Sequence, residues 1–83
     1  MDSIIVTIRV PSLGEEFDLE IPAEASIKGL IGMLVSTMGL DPGDGQISPW
    51  KATVEPGSRV LKRNDTLLDA GVVDGNILVI DKA

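Results

Sequence analysis

Apolar residues fall at every second position from Ile4 to Val10 and again from Phe17 to Ile21, but they follow helical spacing over only one long stretch, between Ile27 and Met38. Period two places the apolar side chains of a strand on one face, whereas period 3.6 gathers those of a helix into a stripe. A chain patterned this way is restricted to one long helix packed on a sheet. Ile4, Val6, Ile8 and Val10 alternate with Ile5, Thr7 and Arg9, so the first strand has apolar residues on both faces, as a central strand does. Pro11-Ser12-Leu13-Gly14 turns the chain, and Phe17, Leu19 and Ile21 then alternate with Asp18 and Glu20 in a strand with one apolar and one acidic face, ended by Pro22.

The helix is expected to begin at Ser26, whose hydroxyl can accept from a first-turn amide, and to end near Gly39 after about 12 residues. Its buried stripe is Ile27, Leu30, Ile31, Leu34 and Met38. Gly29 at the third helical position rules out a capping box. Asp41-Pro42 prevents continuation, and Pro42-Gly43-Asp44-Gly45 reads as a loop. Trp50, Ala52 and Val54 alternate with Lys51, Thr53 and Glu55 in a third strand, and Pro56-Gly57 is a turn. Val60-Leu61 reads as a short fourth strand, Thr66 to Ala70 as a helical turn started by Asp65, and Asn76 to Ile80 as a last strand entered through Asp74-Gly75. The order β-β-α-β-β-β, with the first and last strands central and parallel, defines an α+β fold with one helix on a mixed sheet. At 83 residues, positions 1–83 are expected to form a single domain with one core.

Residue types then restrict the chemistry. The chain has neither cysteine nor histidine, which removes disulfides, thiolate metal sites and the commonest general base. No cluster of acid, base and nucleophile can be assembled, so no catalytic residue, cofactor or metal site is expected and the chain reads as a non-enzyme. Asp41, Asp44, Asp65, Asp69 and Asp74 do not have calcium-loop spacing, because Pro42, Gly43 and Gly45 occupy positions where such a loop needs oxygen ligands. Thirteen Asp and Glu against seven Lys and Arg give a net charge of -6, which disfavours nucleic acid as a partner. The start, Met1-Asp2-Ser3-Ile4, has no secretory-signal pattern, and the apolar stretch Leu30 to Leu40 is too short for a bilayer and is interrupted by Gly32, Ser36, Thr37 and Gly39. A cytoplasmic chain without membrane insertion is the expectation.

Two stretches carry a resemblance. Ile21-Pro22-Ala23-Glu24-Ala25-Ser26-Ile27, after an N-terminal hairpin, resembles the acidic, Ser/Thr-capped entry to the ubiquitin helix. Arg63-Asn64-Asp65-Thr66-Leu67-Leu68-Asp69-Ala70-Gly71-Val72, followed by Asp74 to Ile80, resembles the segment of that superfamily that leads through a Thr-Leu turn into the last strand. The resemblance implies the ubiquitin-like β-grasp fold. Ubiquitin-type modifiers and β-grasp sulfur carriers need a flexible tail ending in Gly-Gly, whereas the sequence here ends Ile80-Asp81-Lys82-Ala83. Among members that are not conjugated, the chain is most similar to the bacterial YukD/EsaB group, small cytoplasmic proteins associated with type VII (WXG-type) secretion. That likeness implies an accessory or regulatory module binding a protein partner, with a membrane or ATPase component of the apparatus as candidate and a homodimer as another arrangement. A modifier or sulfur carrier lacking its C-terminal tail, and the cytosolic domain of a larger membrane protein, remain as alternatives.

Two surfaces are candidates for protein binding. If Ile4, Val6, Ile8, Leu78 and Ile80 face the helix, then Ile5, Ile77 and Val79 face outward, with Arg9 at the margin, and adjacent outward apolar residues mark contact sites. A similar sheet face is the usual recognition surface of ubiquitin. The alternative is the outer helix face, where Gly29, Gly32, Met33 and Ser36 lie beside Lys28 and would admit a closely packed partner helix. Trp50 can either extend the sheet surface or plug the edge of the core.

Overall fold

The computed structural model describes residues 2–44 and 48–82, so Gly45 of the expected loop and the terminal Ala83 lie outside the described residues. Strand β1 (Ser3–Val10) leads through a short 3-10 turn at Pro11–Leu13 into β2 (Glu15–Pro22). Helix α1 (Ile27–Met38) follows, then β3 (Trp50–Glu55), β4 (Arg59–Val60) and β5 (Ile77–Lys82). The five strands form one sheet in the order β2-β1-β5-β3-β4. β1 and β5 are neighbours at its centre and run parallel, Thr7 opposite Ile77 and Arg9 opposite Val79, while the other pairs are antiparallel. A parallel pair needs a long crossover, which the helix and the two strands after it supply.

Every amide of the first helical turn is satisfied within the chain. Ile27 and Lys28 donate to the carbonyls of Asp65 and Arg63, at 2.9 and 3.1 Å, and Gly29 donates to Ser26 Oγ at 2.9 Å. These bonds fasten the start of the helix to the segment before β5 and leave no free donor of the kind a helix end otherwise presents. At the other end Gly39 is left-handed, with φ of 67°, and the Leu40 amide returns to the Val35 carbonyl while its side chain folds into the core.

Ile27, Leu30, Ile31 and Leu34 are buried, and Met38 packs partly buried at the end of the stripe. They meet Val6, Ile8, Leu78, Ile80, Ala52 and Val54 on one face of the sheet. Trp50 plugs the core edge: it is 2% exposed, and its indole N–H donates to the Asp41 carbonyl at 2.6 Å. Lys82 lies over the indole face, 5.6 Å from the ring centre. Arg63 closes the same edge by donating to the carbonyls of Ser48 and Trp50.

Several boundaries differ from the sequence expectation. β2 begins at Glu15 because Val10 and Arg9 still find partners in Glu15 and Glu16. β4 lies one residue earlier than expected, although the Leu61 amide still bonds to the Ala52 carbonyl. The last strand starts at Ile77, because the Asn76 side chain closes the preceding turn on the Val73 amide. It runs on to Lys82 because Trp50 and Lys51 of β3 pair with Lys82 and Asp81. The helical turn is opened by Thr66 and not by Asp65: the Thr66 hydroxyl accepts from the Asp69 amide and the Thr66 carbonyl from the Ala70 amide, both at 3.0 Å.

Two glycines give an opposed pair of expected results. A Cβ at Gly32 would meet nothing within 4 Å, so Gly32→Ala should stabilise the chain by about 0.5–1 kcal/mol through helix propensity. Gly39→Ala should destabilise it by about 1–2 kcal/mol, because the left-handed conformation is strained for alanine. Urea titration of both variants checks the signs.

Candidate functional site

The helix covers one face of the sheet and leaves the other open, and alternation along the strands decides which residues stand there. On the open face Ile5, Thr7 and Arg9 come from β1, and Ile77 and Val79 from β5. Thr53 of β3 lies opposite Val79, and Val60 of β4 lies opposite Thr53. The three outward apolar residues expected from sequence therefore share one surface. Ile5 is 52% exposed, whereas Ile77 and Val79, on a central strand, are half-buried. Ile5 lies one same-face step along β1 from Thr7, the partner of Ile77, within reach for branched side chains.

Val60, 57% exposed, extends this strip across the sheet and was not anticipated. With strands about 4.8 Å apart, the strip from β1 to β4 crosses three spacings, roughly 14 Å. Burial of Leu61 in the core turns its neighbour Val60 to the other face. The β2 edge of the face carries Glu16, Asp18 and Glu20, opposite Arg9, Thr7 and Ile5. Arg9 Nε donates to Glu16 Oε1 at 2.7 Å and Thr7 Oγ1 to Asp18 Oδ1 at 2.9 Å, which fixes Arg9 beside the strip. Asp74 Oδ1 accepts from the Ile5 amide at 2.7 Å, setting a second carboxylate at that end.

The other candidate surface lies across the core, on the far side of α1. Gly29, Gly32, Met33 and Ser36 are all exposed there, Met33 by 42%. The two helix glycines differ in their surroundings. A Cβ at Gly29 would stand 2.9 Å from Ser26 Oγ, so the cap itself favours glycine, while Gly32 borders open space. The sheet face and the helix face cannot belong to one contact, because the hydrophobic core separates them.

Two of the loop aspartates hold backbone amides: Asp41 Oδ1 accepts from the Gly43 amide and Asp74 Oδ1 from the Ile5 amide. Among the described residues no three carboxylates gather as a metal-binding group. Among them, too, no helix is long and apolar enough to cross a membrane.

The family model that matches this chain is that of the WXG100 protein secretion system (Wss), protein YukD, and the match runs over residues 3–80. The chain belongs to the YukD family. Its fold is ubiquitin-like. A ubiquitin of Caldiarchaeum subterraneum superposes with a TM-score of 0.78 at 22% identity, covering 99% of this chain and 95% of the other. The ubiquitin-like domain of EccD5 from Mycobacterium xenopi gives 0.72 at 19% identity, covering 100% and 97%. The ubiquitin-like domain of Plasmodium falciparum Dsk2 gives 0.72 at 21%, covering 99% and 100%. Comparison with curated protein sequences gives no match. For this YukD-family chain the likenesses establish the β-grasp fold, and the secretion link comes from the family.

Proposed function

We propose that this YukD-family chain is a non-catalytic protein-interaction module of a bacterial WXG-type secretion apparatus, acting in the cytoplasm and binding a membrane or ATPase component through the open face of its sheet. The observation that carries the reading is the strip formed by Ile5, Ile77, Val79 and Val60, four aliphatic side chains on a face that the helix leaves uncovered. Apolar area gathered in one place on a surface marks a contact site, whereas single exposed apolar residues do not. The family supports the setting, and the likeness to the ubiquitin-like domain of EccD5 supports the ubiquitin-like form of the module. The absence of histidine and cysteine supports a role in binding over one in catalysis.

A photocrosslinking residue placed at Thr7 or Thr53, between the aliphatic side chains, should capture a component of the secretion apparatus in the native host. The same residue at Gly32 or Ser36 should not. Capture from the helix positions alone would move the contact to the opposite surface.

A further inference from the structure

We propose that the occupant of the open sheet face is a basic amphipathic segment, its apolar stripe seated on Ile5, Ile77 and Val79 and its lysine or arginine side chains laid along the outer column of β2. This rests on the reading of that face as the binding surface, and charge decides the occupant. Only two cations stand on the face among the described strand residues, Arg9 and Lys51, and each already faces an acid, Glu16 or Asp81. Asp18, Glu20 and Glu55 are left without a cationic partner among the described residues. Asp18 accepts from the Thr7 hydroxyl and Glu55 from the Ser58 hydroxyl, and neither bond cancels charge.

These carboxylates adjoin the apolar strip. Glu20 is the register partner of Ile5, the most exposed of the three apolar residues named, and cross-strand partners stand about 5 Å apart at Cβ. Glu55 is the register partner of Ile77 on the opposite side of β5. The strip is thus bordered by negative charge on two sides, and β2, an edge strand, presents its column without a further strand beyond it. Such a border repels nucleic acid, anionic headgroups and acidic segments. It attracts a segment whose cations flank an apolar stripe, and rim charges of this kind set association rate and salt dependence. The helix face has no comparable selectivity, since Lys28 is its only charge.

The probes are two synthetic 18-residue helical peptides with the same leucine stripe, one with a lysine polar face and one with a glutamate polar face. They are titrated against the isotope-labelled chain by NMR at two salt concentrations. The lysine peptide should shift the amides of Ile5, Ile77, Val79 and Val60, leave those of Gly32 and Ser36 in place, and weaken with salt, while the glutamate peptide shifts none. Asp18→Lys with Glu20→Lys should weaken it by about tenfold or more. Glu24→Lys with Asp69→Lys, exposed acids outside the face and an equal change of net charge, should hold it within about threefold. Thermal melts of both pairs confirm folding.

Equal weakening by the two pairs, or shifts scattered over other acidic positions, would reduce the effect to general charge attraction and overturn the proposal. Amide shifts at the strip that grow with concentration in the absence of peptide would identify a second copy as the occupant and overturn it as well. If crosslinks from Thr7 and Thr53 still capture the apparatus while the lysine peptide leaves the strip untouched, the face is a binding surface and only the basic partner is wrong.

Discussion

Leu34→Ala is expected to destabilise the chain by about 2–5 kcal/mol, the cost of lost burial plus a cavity that the surroundings fill only in part. Leu34 is buried in the helix stripe, within a largely aliphatic core. Set against a total stability of about 5–15 kcal/mol, that loss is large. For a domain of this size each kcal/mol lowers Tm by roughly 4–8 °C. The neighbouring Met33 projects about 100° further round the helix and is exposed, so Met33→Ala should change stability by no more than about 0.5 kcal/mol. Urea titrations of the two variants compare adjacent positions on one helix. Similar losses for both would contradict the rotational setting of α1 on the sheet.

The second large effect concerns binding. Ile5→Lys combined with Val79→Glu should weaken association with the partner by about 2 kcal/mol or more, roughly 30-fold, if these side chains sit at the centre of the contact. The signs follow from the register. Glu20 lies opposite Ile5 and Arg9 opposite Val79, so a lysine at 5 and a glutamate at 79 each meet an opposite charge, whereas the reverse choice would place like charges together. The pair leaves net charge unchanged, so its effect is not one of overall charge. Its effect on folding should stay near 1–2 kcal/mol, because Ile5 is half in water already and Val79 is only partly covered. Thermal unfolding of the double variant, alongside binding by calorimetry, separates the two quantities.

How much of this was legible before the structure depends on the residue. The helix could be bounded from Ser26 and Gly39 because its ends are made by local chemistry, a hydroxyl accepting an amide and a glycine free to turn left-handed. The central parallel pair followed from strands with apolar residues on both faces, which fixes Ile5, Ile77 and Val79 outward once Val6, Ile8 and Leu78 face the helix. The extension of β5 to Lys82 was not legible, because it depends on pairing with Trp50 and Lys51, some 30 residues away in sequence. The opening of the turn by Thr66 was ambiguous next to Asp65, since both residue types cap. The structure gives the role to Thr66, whose hydroxyl and carbonyl accept from the Asp69 and Ala70 amides.

The role of Trp50 shows the same limit. Alternation places it on the inner face with Ala52 and Val54, but only the meeting of its indole N–H with Asp41 makes it a plug. Val60 was missed because a two-residue strand has too little alternation to orient by itself, and its facing is settled by pairing with Thr53. The helix face and the sheet face were both visible as candidates in the sequence. Their opposition across the core was not, and it is what makes them exclusive. Gly29 loses much of its weight as a sign of a partner, because a Cβ there would stand only 2.9 Å from Ser26 Oγ, and Gly32 keeps the rival surface in play.

That rivalry makes the decisive measurement simple. The same partner, a component of the secretion apparatus captured through Thr7 or Thr53, is titrated with the unaltered chain, with the Ile5→Lys and Val79→Glu pair, and with Gly32→Arg, which sets a long side chain in the middle of the helix face. The sheet-face reading predicts a loss of roughly 30-fold or more for the pair and an affinity within about twofold for Gly32→Arg. Unimpaired binding by the pair, with binding abolished by Gly32→Arg, would contradict it.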